Sequence, residues 1–200
     1  MKRREYHVSE GKKRLLEASL KEFAERGFEG ARVNQIAANA EVNKALIYYH
    51  FKNKEELYVS TINDLFSKAM PVELDMSGLS IQEKMFGVIE QFIRFLDENP
   101  YFVQIMDHSV HQSGDIFQKV YEQNIFFEAV LALYEEGLKK GECRQVEHIV
   151  DCVVSLLGAS YFYFSHRHAV RRFYGDMEES DIVEVHVSTL KEIVTRVLFN

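Results

Sequence analysis

Apolar residues recur at intervals of three and four along almost the whole of this 200-residue chain, and no stretch alternates apolar with polar for more than a few residues. Side chains three and four apart share one face of a helix, so the chain is expected to be all-α. The first periodic segment runs from about Gly11 to Arg26, with Leu16, Leu20, Phe23 and Ala24 on one face. Gly27 follows and is expected to take a left-handed backbone that ends the helix, letting Phe28 fold back onto the apolar side. Val33, Ile36, Ala37 and Ala40 mark a short second helix, and Glu41 and Val42 a tight break. Asn43 is placed to cap a third helix, whose inward face is Ile47 and Phe51. Asn53 and Glu56 have the spacing of a capping box for a fourth helix, carried on by Leu57, Ile62, Leu65 and Phe66.

Beyond Met70 the chain has one obvious linker, Pro71 to Ser80. Further helices are expected near Ile81–Glu98, Tyr101–Gln112, Ile116–Lys140, Val146–Arg172 and Ser180–Phe199, with Pro100, Gly114, Gly141 and Gly175 between them. No run of about 18 apolar residues occurs, so neither a spanning helix nor a membrane partner is expected. Cys143 and Cys152 lack C-x-x-C spacing and read as reduced thiols of a cytoplasmic protein.

Net charge is −7, but it is unevenly spread. Residues 1–54 hold 12 Lys and Arg against 7 Asp and Glu, giving +5, while the remainder holds 12 against 24 and carries −12. An N-terminal part that meets a polyanion, joined to a part that stays away from it, is what this asymmetry implies. Two short helices joined by a three- or four-residue turn are the unit that sets a recognition helix in the DNA major groove. In Asn43–Phe51, Ile47 and Phe51 point inward, leaving Lys44, Tyr48, Tyr49 and His50 to point outward toward phosphates and bases. Lys54, in the first turn of the next helix, can hold a phosphate together with that helix's N-terminus.

The stretch Phe23-Ala24-Glu25-Arg26-Gly27-Phe28, then Ile36-Ala37, Ala40-Glu41-Val42-Asn43-Lys44, Ile47-Tyr48-Tyr49-His50-Phe51 and Lys54-Glu55-Glu56-Leu57 resembles the N-terminal domain of TetR/AcrR-type regulators. The resemblance covers roughly residues 12–60 at motif level. It implies a homeodomain-like three-helix domain over residues 1–54 and a helical ligand-binding and dimerisation domain over residues 55–200. It also implies a transcriptional regulator with no enzymatic activity and no cofactor, a repressor in the family's usual mode. The residues it assigns to DNA are Arg32, Asn43, Lys44, Ala45, Tyr48, Tyr49, His50 and Lys54; of these, Lys44 and Ala45 stand at its variable base-reading positions. Three positions depart from the pattern. Arg32 precedes Val33 where a Thr usually caps the second helix, Glu41 stands where the turn usually has Gly, and Ala45 often is Gly. Glu on a left-handed backbone costs about 1 kcal/mol or more relative to Gly.

The C-terminal part is rich in aromatic residues, which suits a pocket for an apolar or aromatic effector; Phe92, Phe102, Met106, Tyr121 and Tyr161 are the candidate lining. The last two helices carry apolar faces that one small domain would struggle to hide: Val150, Val153, Val154, Leu157 and Tyr161 on one, Val183, Val187, Leu190, Val194 and Leu198 on the other. A homodimer through these helices is expected, presenting two recognition helices to a palindromic double-stranded operator. The alternative is a regulator of the same fold governed by a protein partner or by no ligand. His108, His111, His166 and His168 lack the spacing of helical metal motifs, and no metal site is expected.

Overall fold

The protein is described from a computed structural model, over residues 2–69, 77–109 and 125–199, and its regular elements are helices. An isolated antiparallel bridge pairs Cys143 with Phe199. The chain divides into two compact units. One is built from α1 (Lys2–Gly30), α2 (Val33–Asn39), α3 (Lys44–His50), α4 (Lys54–Ala69) and α6 (Pro100–Ser109). The other is built from α5 (Ile81–Glu98), α7 (Ile125–Lys140), α8 (Ile149–Ser165) and α9 (Glu179–Leu198). The first unit is thus wider than residues 1–54, because α4 and α6 complete its core.

In that unit α1 is interrupted at Gly27, where φ is 66° and ψ 174°, a conformation open to glycine and strained for other residues. The break turns Phe28 back against Phe23, with ring centroids 6.3 Å apart, and both rings meet Tyr58 of α4 at 5.3 and 4.9 Å. Tyr58 is buried, which pushes its phenol up to about 12. Leu15, Ile36, Ile47, Leu57 and Ile62 join this cluster in the core. α6 adds Phe102, Val103, Ile105 and Met106, all buried, and sets the His108 ring 3.3 Å from where a Cβ on Gly27 would stand.

In the second unit, α5 is the central helix. A capping box opens it: Ser80 Oγ accepts from the Glu83 N–H, while the Glu83 carboxylate accepts from the Ser80 N–H at 2.8 Å. Its buried face runs from Ile81 to Leu96 and is covered by α7, α8 and α9. α7 ends before Gly141 (φ 70°), and a Cβ on Gly137 would lie 2.3 Å from the Cys143 Sγ, so this turn of α7 tolerates only glycine. The helix expected over Ile116–Lys140 is seen from Ile125; its earlier residues, with Tyr121 and His111, lie outside the described residues. The helix expected to reach Arg172 stops at Ser165. The chain bends by 80° there into a short helical turn, Arg167–Val170, and a 3-10 turn, Arg171–Tyr174. Arg167 holds this bend, bonding Asp97 of α5 at 2.5 Å and also Glu179 at the start of α9.

The closing turn of α9 is satisfied from outside the helix. Arg144 donates its backbone N–H to Leu198 O at 2.9 Å and its guanidinium to the carbonyls of Val197 and Arg196. The apolar stripe of α9 corrects the sequence expectation. Val183, Val187, Leu190, Val194 and Leu198 are buried within the unit's own core, as is Val153 of α8. The cause is α9's docking on α5, pinned by Lys191 on Glu90 (2.6 Å), Arg94 on Glu184 (2.9 Å) and Gln82 on Thr195 (3.0 Å). On these two helices the large apolar side chains left exposed are Val150, Val154 and Phe162 of α8 and Val185 and Ile193 of α9.

His186 of α9 stacks on Tyr163 of α8 at 4.7 Å, and its Nε2 is buried with no partner among the described residues. Burial therefore lowers its pKa below 6.5. The unfolded chain then binds a proton more readily than the fold does, so stability falls as pH drops below about 6.5. His50 shifts in the same direction. His186→Phe keeps the ring and removes one of the two contributions: the loss of urea midpoint between pH 7 and pH 5 should be smaller in the variant than in the parent protein. Equal losses would show that His186 does not carry the effect.

Candidate nucleic-acid interface

α3 is seven residues long, and its placement comes from both of its ends. Asn43 Oδ1 accepts from the Ala45 N–H at 2.9 Å, capping the start as its sequence position predicts. At the far end the Phe51 N–H closes on Ile47 O at 2.8 Å, and both side chains are buried, at 1% and 3% exposure. Lys12 of α1 lies over the Phe51 ring at 5.9 Å. With the inner face fixed, Lys44, Ala45, Tyr48 and Tyr49 are left on the exposed face, Tyr49 at 73%. The Lys44 ammonium sits 5.7 Å from the Tyr48 ring centroid.

His50 does not join that outward row as expected. Its Nε2 is buried and has no partner among the described residues, with the Tyr49 ring edge-on at 5.0 Å. Burial, and then the nearby Lys12 charge, hold its pKa below 6.5, so the ring is neutral at pH 7. A residue at the last turn of a short helix is aimed by the packing of the following segment, which helical spacing alone does not specify.

Lys54 is held by two contacts. Its Nζ donates to Glu29 O at 3.2 Å and stands 4.7 Å from the Phe28 ring centroid, so the α1 break at Gly27 fixes where this cation sits. The α4 cap is a variant of the expected box. Asn53 Oδ1 accepts from the Glu56 N–H at 2.8 Å, but the Glu56 carboxylate reaches one residue further back, to the Lys52 N–H at 2.7 Å.

Arg32 is exposed and makes no side-chain cap to α2. The sequence gives no local sign of the substitute. Glu22 of α1, only 3% exposed, accepts the Arg32 N–H at 3.2 Å and pairs with Arg26 at 3.3 Å, which sets a carboxylate at the start of α2. Glu41 does occupy a left-handed position, with φ 53°, and its carboxylate lies 3.6 Å from the Arg14 guanidinium of α1. Together these contacts leave one amide, one lysine, two phenols and a guanidinium exposed, with Lys54 half-buried, in the part of the chain with net charge +5. Such a set donates to phosphate oxygens and base edges and offers rings to thymine methyls.

Of the expected pocket residues, Phe92, Phe102 and Met106 are buried and Tyr161 is half-buried. Phe92 stacks on Phe126 at 4.3 Å and so fills the core of its unit. The second unit holds an open groove of about 630 Å³ between α8 and α9. Its lining is aliphatic, with Val153, Leu156, Ala159, Leu190, Ile193 and Val197 along it and Glu147, His148 and Asp151 at its rim. Phe92, Phe102, Met106 and Tyr161 are not among its lining residues.

The family described as "Bacterial regulatory proteins, tetR family" matches residues 15–61, and the family "Tetracyclin repressor-like, C-terminal domain" matches residues 82–194. The HTH-type transcriptional repressor NicS of Pseudomonas putida is 28% identical over 169 residues, covering 80% of this chain and 78% of that protein. The biofilm operon icaADBC negative transcriptional regulator IcaR of Staphylococcus aureus is 24% identical over 150 residues, with 70% and 77% covered. Among solved structures, the transcriptional regulator FadR of Bacillus subtilis in complex with stearoyl-CoA superposes with a TM-score of 0.72 at 19% identity, covering 88% of this chain and 96% of that one.

The left-handed Glu41 supplies a test of the turn. Its ion pair with Arg14 is exposed on both sides, 84% and 44%, and exposed pairs contribute little. Glu41→Gly should therefore raise the urea midpoint, by a stability gain of about 1 kcal/mol at unchanged slope. A lower midpoint would mean that the Arg14 contact outweighs the backbone cost.

Proposed function

The chain belongs to the tetR family of bacterial regulatory proteins, and on that footing we propose that it represses transcription as a homodimer on a palindromic operator and is released by a small apolar or aromatic ligand. It is a DNA-binding regulator and not an enzyme. The observation that carries the finer reading is the α3 surface: a helix fixed from inside by Ile47 and Phe51 whose exposed side is Lys44, Ala45, Tyr48 and Tyr49. Lys44, Ala45 and Tyr48 read bases from the first turns of the helix, and Asn43 keeps those turns formed. Tyr49, Arg32 and Lys54 grip phosphate. His50 contributes by packing beneath Tyr49.

Two-fold pairing supplies the second reading helix that a palindrome requires. The exposed Val150, Val154 and Phe162 of α8 and Val185 and Ile193 of α9 support a dimer through the last two helices, on faces other than their buried stripes. An apolar effector is supported by the stearoyl-CoA carried by the similar FadR structure. Release follows if the ligand favours a dimer whose two reading helices no longer fit successive major grooves. DNA must then weaken ligand affinity by the same factor by which ligand weakens DNA affinity.

Anisotropy titrations of DNA flanking the protein's own gene, at several salt concentrations, separate the assigned roles. Lys54→Ala should weaken binding to all sequences alike and lower the salt slope by about 1. Lys44→Ala should instead relax the preference for that DNA over a scrambled duplex. An unchanged slope in the first variant, with an unchanged preference in the second, would contradict the reading.

A further inference from the structure

α1 carries cations that the reading surface described above does not include. Residues 10–30 hold five: Lys12, Lys13, Arg14, Lys21 and Arg26. Three of them face a carboxylate. Arg14 lies 3.6 Å from Glu41, Lys21 3.9 Å from Glu25 and Arg26 3.3 Å from Glu22. Lys12 and Lys13 are exposed and have no ion pair among the described residues. Of these two, Lys12 is the one set against the reading helix.

Two contacts place it there. Gly11 is buried and lets α1 approach α3 so closely that a Cβ on it would stand 2.8 Å from Leu46 Cδ2. Beside the far end of α3, the Lys12 ammonium stands 5.9 Å from the centroid of the Phe51 ring. Its charge also reaches the His50 imidazole, where it adds to burial in disfavouring protonation. The Lys12 side chain thus covers a buried ring while the residue stays open to water. Cation–π attraction fades near 6 Å, so Phe51 aims the ammonium without neutralising it. Glu10 and Glu17, two residues back and five on, do not share its face of α1. What remains is a cation on a fixed mount, with no counter-ion among the described residues, next to the helix that meets DNA.

We propose that Lys12 binds DNA, gripping a backbone phosphate beside the last turn of α3. The interface then extends past the helix-turn-helix onto α1, with Lys44 at one end of the reading helix and Lys12 at the other. Phosphates are the same in every sequence, so this grip adds affinity and no base preference. It rests on the reading of the chain as a DNA-binding regulator and adds one neutralised phosphate for each bound protomer.

Anisotropy titrations with the full chain test it, on the duplex flanking the protein's own gene and on a scrambled duplex, each at several salt concentrations. Lys12→Met keeps an unbranched stem over Phe51 and removes the charge. It should weaken binding to both duplexes alike, about five- to tenfold per bound protomer near 0.1 M salt, and make the salt slope shallower by about 0.9 per bound protomer. Lys12→Arg should recover both, which a loss of packing alone would not require. Lys21→Met removes the same charge about 13 Å further along α1, beyond a Debye length of about 10 Å, and should change neither. A Lys12→Met slope equal to the parent's, or a change that Lys21→Met reproduces, overturns the grip and leaves the regulator reading standing. A loss confined to the own-gene duplex also overturns it, because Lys12 would then act on bases. A parent protein whose binding to either duplex does not depend on salt overturns the regulator reading as well.

Discussion

Seven residues cannot sustain a helix in water, because nucleation is unfavourable and the few hydrogen bonds that follow do not recover its cost. α3 exists, then, only to the extent that Ile47 and Phe51 are buried. Burying two such side chains contributes about 1.5–3 kcal/mol each, which is of the size needed to hold the helix in place before any DNA arrives. The break at Gly27 works to the same end. It brings Phe28 back onto Phe23 and Tyr58, joins the ends of α1 and α4, and fixes Lys54 beside Glu29. The reading surface is thus a by-product of how the core closes.

Charge then separates the labour of the N-terminal segment from that of the rest of the chain. A net +5 in the first 54 residues draws the chain to a polyanion, while the acidic remainder is repelled by it. Within the basic part the acidic residues are used locally. Glu22 takes up the Arg32 N–H at the start of α2, and Glu41 faces Arg14 across the turn.

Where interactions are local, the sequence makes them legible. The Asn43 cap, the Gly27 break, the left-handed Glu41 and the inward pair Ile47 and Phe51 all follow from spacing and from what each side chain can do. What depends on contacts far along the chain is not legible. Glu22 replaces a missing cap from ten residues away, and nothing near Arg32 signals it. The stripe from Val183 to Leu198 has the periodicity of an interface, but periodicity marks only that a face is buried, and α5 is what buries it. The same limit misleads over aromatic residues: Phe92 fills a core beside Phe126, and the open groove is lined with aliphatic side chains. The bend after Ser165 escapes notice because no proline or glycine marks it; Arg167, pulled between Asp97 and Glu179, sets it instead.

The grip of Lys44, Tyr48 and Tyr49 on DNA depends on a reading helix that is built before DNA binds. Amide hydrogen exchange on the DNA-free protein, followed at Ile47 through Phe51, tests it most directly. These amides should be protected in the free protein to a degree comparable with the buried turns of α4, and DNA should add protection chiefly at the exposed start of α3. Exchange at the rate of an unstructured peptide, slowed only once DNA is present, would contradict it: α3 would then be formed by the DNA and not by the core beneath it.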